Sequence, residues 1–163
     1  VRPELQRLYD ELTEVRIALA SVEDTSRRVS NGWTVAQVLD HLAKVHNKTV
    51  PVFREALAHT SSRNGDDPVR YSFLDRQLVK MIGGKTSVKL PVPPMFEPAE
   101  AGPEAKLACL SSIDDLLAII EDADKRVLAG VVVSSPVNAR LRLGLLPYLD
   151  ATVGHARYHQ KQI

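Results

Sequence analysis

Cysteine, net charge and long apolar runs are what this chain of 163 residues lacks. Its one cysteine, Cys109, cannot close an internal disulfide or build a thiolate metal cluster alone, so a reducing, cytoplasmic compartment is expected. With 21 Lys+Arg against 20 Asp+Glu the formal charge is +1, which gives no whole-chain attraction for nucleic acid or an anionic membrane. No apolar run approaches the roughly 18 residues of a membrane span, and the opening VRPELQRLYDELTE is charged, unlike a secretory signal. The chain starts at Val1 rather than Met and stops at Ile163 inside an expected helix, which leaves room for residues beyond either end.

What is present is ordinary for a globular protein: 44% hydrophobic and 25% charged residues, in a length suited to one domain spanning 1–163. From Pro3 to Val22, residues Leu5, Leu8, Leu12, Val15 and Leu19 recur at spacings of three and four and predict a first helix. Thr34 and Gln37 fit a capping box, with Trp33 and Val38 placed as a hydrophobic staple, so a second helix begins near Val35. Its apolar face carries Val38, Leu42, Val45, Thr49, Val52 and Ala56, and Pro51 should kink or split it.

Periodicity fades over 60–106. There Arg63 to Pro68 mark a turn, and Tyr71 to Ile82 is compatible with a short helix. KLPVPPMFEPAEAGP has five prolines in fifteen residues and must be largely extended. Ser111 and Ser112 introduce a third amphipathic helix carrying Ile113, Leu116, Leu117, Ile120, Val127 and Leu128, ended by Gly130. VVVSSPVNARLRLG reads as an extended loop for want of a second strand, and the final helix begins near Pro147. Four helices with a long connection between the second and third predict an all-α bundle with a crossover.

Five histidines hold the candidate chemistry. His155 and His159 are four residues apart on an expected helix, roughly 40° around its wheel, so both can reach one ion. Pairs of this kind arise often by chance, but His41 flanks the apolar stripe of the second helix and can also face inward. Three imidazoles from two helices would form an open three-ligand site. His46 and His59 are expected at the surface or an edge, Tyr158 is expected to project away as packing, and Cys109 reads as a buried thiol. Gly83-Gly84-Lys85-Thr86 imitates the end of a phosphate loop, but Val79 stands where the first glycine must be, which excludes nucleotide binding there. The clusters Arg27-Arg28 and Arg140-Arg142 read as solvated faces.

The segments GWTVAQVLDHL and GLLPYLDATVGHARYHQKQI resemble the two signature regions of the DinB-like (YfiT-like) superfamily. Trp33 and Thr34 match its helix cap, His41 its first ligand, His155 and His159 its H-x-x-x-H pair, and Gln162 its trailing Gln. VPPMFEP is similar to its extended loop. The resemblance implies an up-up-down-down four-helix bundle holding a divalent ion, zinc or nickel, through three His below a shallow cleft. Similar proteins include bacillithiol S-transferases, a mycothiol-dependent maleylpyruvate isomerase and metal-dependent hydrolases.

The expectation is therefore an enzyme acting on a small-molecule substrate by hydrolysis or by transfer of a low-molecular-weight thiol. Its catalytic acid and base are unassigned. Gln37 and Gln162 are candidates to orient ligands, although capping explains Gln37 equally well. The competing class is a non-enzymatic bundle that binds a small ligand or a partner chain, with a structural metal or none. A homodimer through exposed helix faces is compatible with either.

Overall fold

The five apolar residues of the first segment are all buried in α1 (Pro3–Ala20), which Pro3 opens where its missing N–H costs little. The structure is a computed structural model and describes residues 1–87 and 90–163. Lys89, the first residue of the proline-rich segment, lies outside the described residues. The expected capping box starts α2 (Val35–Ala58): the Gln37 N–H donates to Thr34 Oγ1 (3.1 Å) and the Thr34 N–H to Gln37 Oε1 (2.9 Å). The helix is continuous through Pro51, which corrects the expected split. Pro51 and Asn47, whose carbonyl it cannot serve, are both exposed, so water can replace the missing donor.

A second capping box, Ser72 with Asp75, starts the short helix α3 (Phe73–Ile82). The described part of the proline-rich stretch forms no α-helix or strand; it makes a 3-10 turn at Pro94–Phe96, leaves it extended at Glu97, and reaches helical angles at Pro103. α4 (Glu104–Asp124) begins before the serines expected to introduce it. Ser112 sits inside the helix and returns its hydroxyl to the Cys109 carbonyl at 2.7 Å. Val127, Leu128 and Gly130 lie beyond the end of α4, and Gly130 (φ +75) turns the chain in the following loop.

The expected extended loop is instead a hairpin of β1 (Val132–Ser134) and β2 (Arg142–Gly144). Its second strand is so short that the alternation Arg140, Leu141, Arg142, Leu143 is its one sequence signal. Val133 and Leu143 stand directly opposite and are both buried. α5 (Leu145–Gln162) follows at once, with Pro147 inside its first turn. The described residues thus form a mostly helical fold of five α-helices and one two-stranded sheet. None of these helices is long and apolar enough to cross a membrane.

Hydrogen-bonded and ion-paired residues give the helix directions. Arg2 with Asp124 and Arg16 with Asp114 set α1 antiparallel to α4. His46 with Ser112 and Thr60 with Arg126 set α2 parallel to α4. Arg7 with Asp150 and Glu11 with Arg157 set α1 parallel to α5. Taken in chain order, α1, α2, α4 and α5 run up-down-down-up, which corrects the expected up-up-down-down order. The short link 21–34 reverses the chain after α1, whereas the long connection 59–103 returns it so that α4 can run beside α2 in the same direction.

One clamp holds the ends of these helices together. The Asp67 carboxylate accepts from the Leu128 N–H (2.6 Å) and the Ala129 N–H (3.2 Å) and pairs with the buried Arg2 guanidinium. Burial works against its ionisation, but these donors hold its carboxyl below the usual carboxylate range. Replacing Asp67 by Ala strands the Arg2 charge and two backbone donors, so a loss of about 3 kcal/mol is expected in urea unfolding at pH 7. Unchanged stability would contradict the clamp.

Candidate metal centre

The antiparallel crossing of α2 and α5 carries His41 to the pair His155 and His159, which stack one turn apart on α5. His155 Nε2 lies 3.3 Å from His41 Nε2 and 3.1 Å from His159 Nε2. One ligand nitrogen from each ring lies within 4.8 Å of the other two, and this is the one such cluster of His, Cys, Asp or Glu among the described residues. His41 and His159 are buried; His155 is partly exposed. Trp33 packs against His41 at 5.4 Å between ring centroids, and Tyr158 against His159 at 5.1 Å.

Hydrogen bonds on the far side of each ring decide what the near side offers. His41 Nδ1 is 2.7 Å from the Phe96 carbonyl, which can only accept, so Nδ1 carries the hydrogen and Nε2 a lone pair. That carbonyl is held in place by α2 itself. Lys44 donates to the Glu97 carbonyl (2.9 Å), and Asp40 accepts from the Ala99 N–H (3.0 Å). His159 Nδ1 donates to Gln162 Oε1 (2.8 Å), and the Gln162 amide donates in turn to the Tyr158 hydroxyl (3.2 Å). His159 Nε2 is therefore a second lone pair. Tyr158 rests on Gly84 (φ +68), where any Cβ would run into its ring.

All three imidazoles are neutral at pH 7. Burial lowers His41 and pushes His159 down to about 4. His155 lies well below the usual histidine range through burial, then through His159, His41 and His46. Neutral imidazole is the form that binds a cation. Two lone pairs therefore converge on a third Nε2, and the single hydrogen His155 can place there is all that the protein has to relieve their repulsion. A cation satisfies all three at once. Bonds of about 2.0–2.1 Å in a tetrahedron put ligand nitrogens about 3.3 Å apart, so the observed spacings suit one ion.

The other expected residues divide. Gln162 contacts His159, whereas the bonds of Gln37 are those of the helix cap. His59 is exposed at the end of α2. Cys109 is fully buried, and desolvation pushes its thiol up to about 12, consistent with an inert thiol. His46 is not at the surface: α4 covers that side of α2, and Ser112 Oγ lies 2.9 Å from His46 Nδ1. A cavity of about 330 Å³ between the ends of α1 and α5 is lined by Leu19, Val22, Arg27 and Gln160, and by none of the three histidines.

The Phe96 carbonyl has no sequence signal, since any residue carries one. Tyr158 is visible as a residue but not as a neighbour of the cluster. No family model, curated protein or solved structure matches the chain. The cluster stands on its own geometry, as three histidines that could hold a metal ion.

Acid should test the buried imidazoles. His46 is pushed down to about 3 and His159 to about 4, both by burial first, against about 6.5 in an unfolded chain. Below the unfolded value the unfolded chain binds more protons, so stability rises with pH across this window and falls as pH drops. The metal-free protein is expected to lose up to ~1.4 kcal/mol per pH unit for each such histidine between pH 6.5 and 4. A flat profile in urea unfolding would contradict their burial as neutral rings.

Proposed function

We propose that the chain is a DinB-like metalloprotein: α1, α2, α4 and α5 form its four-helix bundle, and His41, His155 and His159 hold one divalent ion. The observation that carries this reading is the convergence of three neutral Nε2 atoms at spacings of 3.1 and 3.3 Å. An all-imidazole donor set suits zinc or nickel. The Phe96 carbonyl and the Gln162 amide keep the His41 and His159 lone pairs aimed at the ion, and Trp33 and Tyr158 keep the two rings in place.

His155 is partly rather than fully buried, which favours a site open to a small-molecule substrate over a closed structural one. A divalent ion held there would supply Lewis acidity and an activated water or thiol at neutral pH, which supports hydrolysis or low-molecular-weight-thiol transfer. Which of the two applies is decided by whether turnover requires an added thiol.

Elemental analysis of untagged protein is expected to find near one zinc or nickel per chain, and the double variant His155→Ala/His159→Ala to hold none. Wild-type protein that stays metal-free after incubation with divalent ions would overturn the proposal. A metal-loaded protein silent toward esters, amides and thiol acceptors alike would point to a binding bundle instead.

A further inference from the structure

Three hydrogen bonds join the segment 94–99 to other parts of the described chain, and all three go to one stretch of α2. The Phe96 carbonyl accepts from His41 Nδ1–H (2.7 Å), the Glu97 carbonyl accepts from Lys44 Nζ (2.9 Å), and the Ala99 N–H donates to Asp40 Oδ2 (3.0 Å). The Phe96 and Glu97 N–H groups bond back into the segment's own turn, to the carbonyls of Pro93 and Pro94. Pro94 and Pro98 have no N–H to give. Phe96 is the one buried side chain of the segment. Its hold on the protein is therefore that side chain and the three bonds to α2.

Asp40 and Lys44 stand one helical turn apart with His41 between them, and they also pair with each other, Lys44 Nζ lying 3.0 Å from Asp40 Oδ2. The Asp40 carboxylate thus accepts from the Ala99 N–H and from the Lys44 ammonium, which donates onward to the Glu97 carbonyl. Their side chains are 24% and 35% exposed, and a pair so open to water adds little to stability by itself. Asp40 is not a member of the histidine cluster. What the pair does is fix the backbone at Glu97 and Ala99, and through it the place of the Phe96 carbonyl beside His41.

We propose that Asp40 and Lys44 are positioning residues for His41: they seat the segment 94–99 on α2 as a strap, and the seating of the strap and the binding of an ion strengthen each other through the bond from His41 Nδ1–H to the Phe96 carbonyl. The inference rests on the metal reading and adds a device to that site. A cation on Nε2 draws electron density from the ring and makes Nδ1–H a stronger donor, so the strap is held more tightly when the site is loaded. Linkage then requires the seated strap to raise ion affinity by the same factor.

Zinc is the probe, competed against a chromophoric chelator on the full chain. Asp40→Ala is expected to weaken zinc binding about tenfold. Asp40→Asn and Lys44→Arg, which keep an acceptor for Ala99 and a donor for Glu97, should bind close to wild type. Asp122→Ala, which breaks the comparable pair with Arg126 (3.2 Å) in the last turn of α4, should bind zinc as wild type does. Amide hydrogen exchange reads the reverse direction without a variant. In wild type, zinc should slow exchange of the Ala99 amide about fivefold or more. The Arg140 amide, bonded to the Asn138 side chain (3.0 Å) in the hairpin loop, should exchange at the same rate with and without zinc. Lys44→Ala should shrink the effect at Ala99. Asp40→Ala that binds zinc as wild type does, or zinc bound with Ala99 exchange unchanged, overturns the strap and leaves the metal site standing. Asp40→Asn as weak as Asp40→Ala would assign the effect to charge and overturn the strap equally. Wild type that binds no zinc overturns the metal reading and the strap's role with it.

Discussion

The hydrogen bond from His41 Nδ1 to the Phe96 carbonyl is the contact on which the arrangement of the site depends. It fixes the tautomer of the one histidine that α2 contributes, and so leaves Nε2 as a lone pair facing α5. It also closes the proline-rich connection onto α2, with Lys44 and Asp40 holding the backbone on the C-terminal side of Phe96. A connection of this composition has few backbone donors of its own. Carbonyls are what it can offer, and the site uses one of them.

Burial then determines the chemistry. Imidazoles removed from water are held neutral, and neutral rings with their far nitrogens already bonded can present only lone pairs inward. Direction matters as much as composition. Because α2 and α5 run antiparallel, one residue of α2 meets two successive turns of α5, and three nitrogens fall within 4.8 Å. A parallel pairing of the same helices would bring the start of α2 to the start of α5, far from His155 and His159.

Much of this was legible in the residues. The leucine ladder of α1, the Thr34–Gln37 cap and the inward turn of His41, His155 and His159 follow from helical period and cap chemistry, and the structure shows each of them. What was not legible depended on neighbours. Pro51 looks like a helix breaker until its exposed side of α2 is known. His46 looks like an edge residue until α4 covers it with Ser112. β2 is too short for alternation to announce it, and helix directions are set by the length of connections rather than by any motif. Tyr158 lies off the histidine face on a helical wheel, as expected, yet it reaches the site through Gln162, a contact that needs side-chain length rather than wheel angle.

X-ray absorption at the zinc edge, on zinc-loaded full-length chain, tests the central claim most directly. The account predicts three imidazole nitrogens at about 2.0–2.1 Å, with the outer scattering of their rings, and one further light atom. A shell containing sulfur, or one without imidazole scattering, would contradict it.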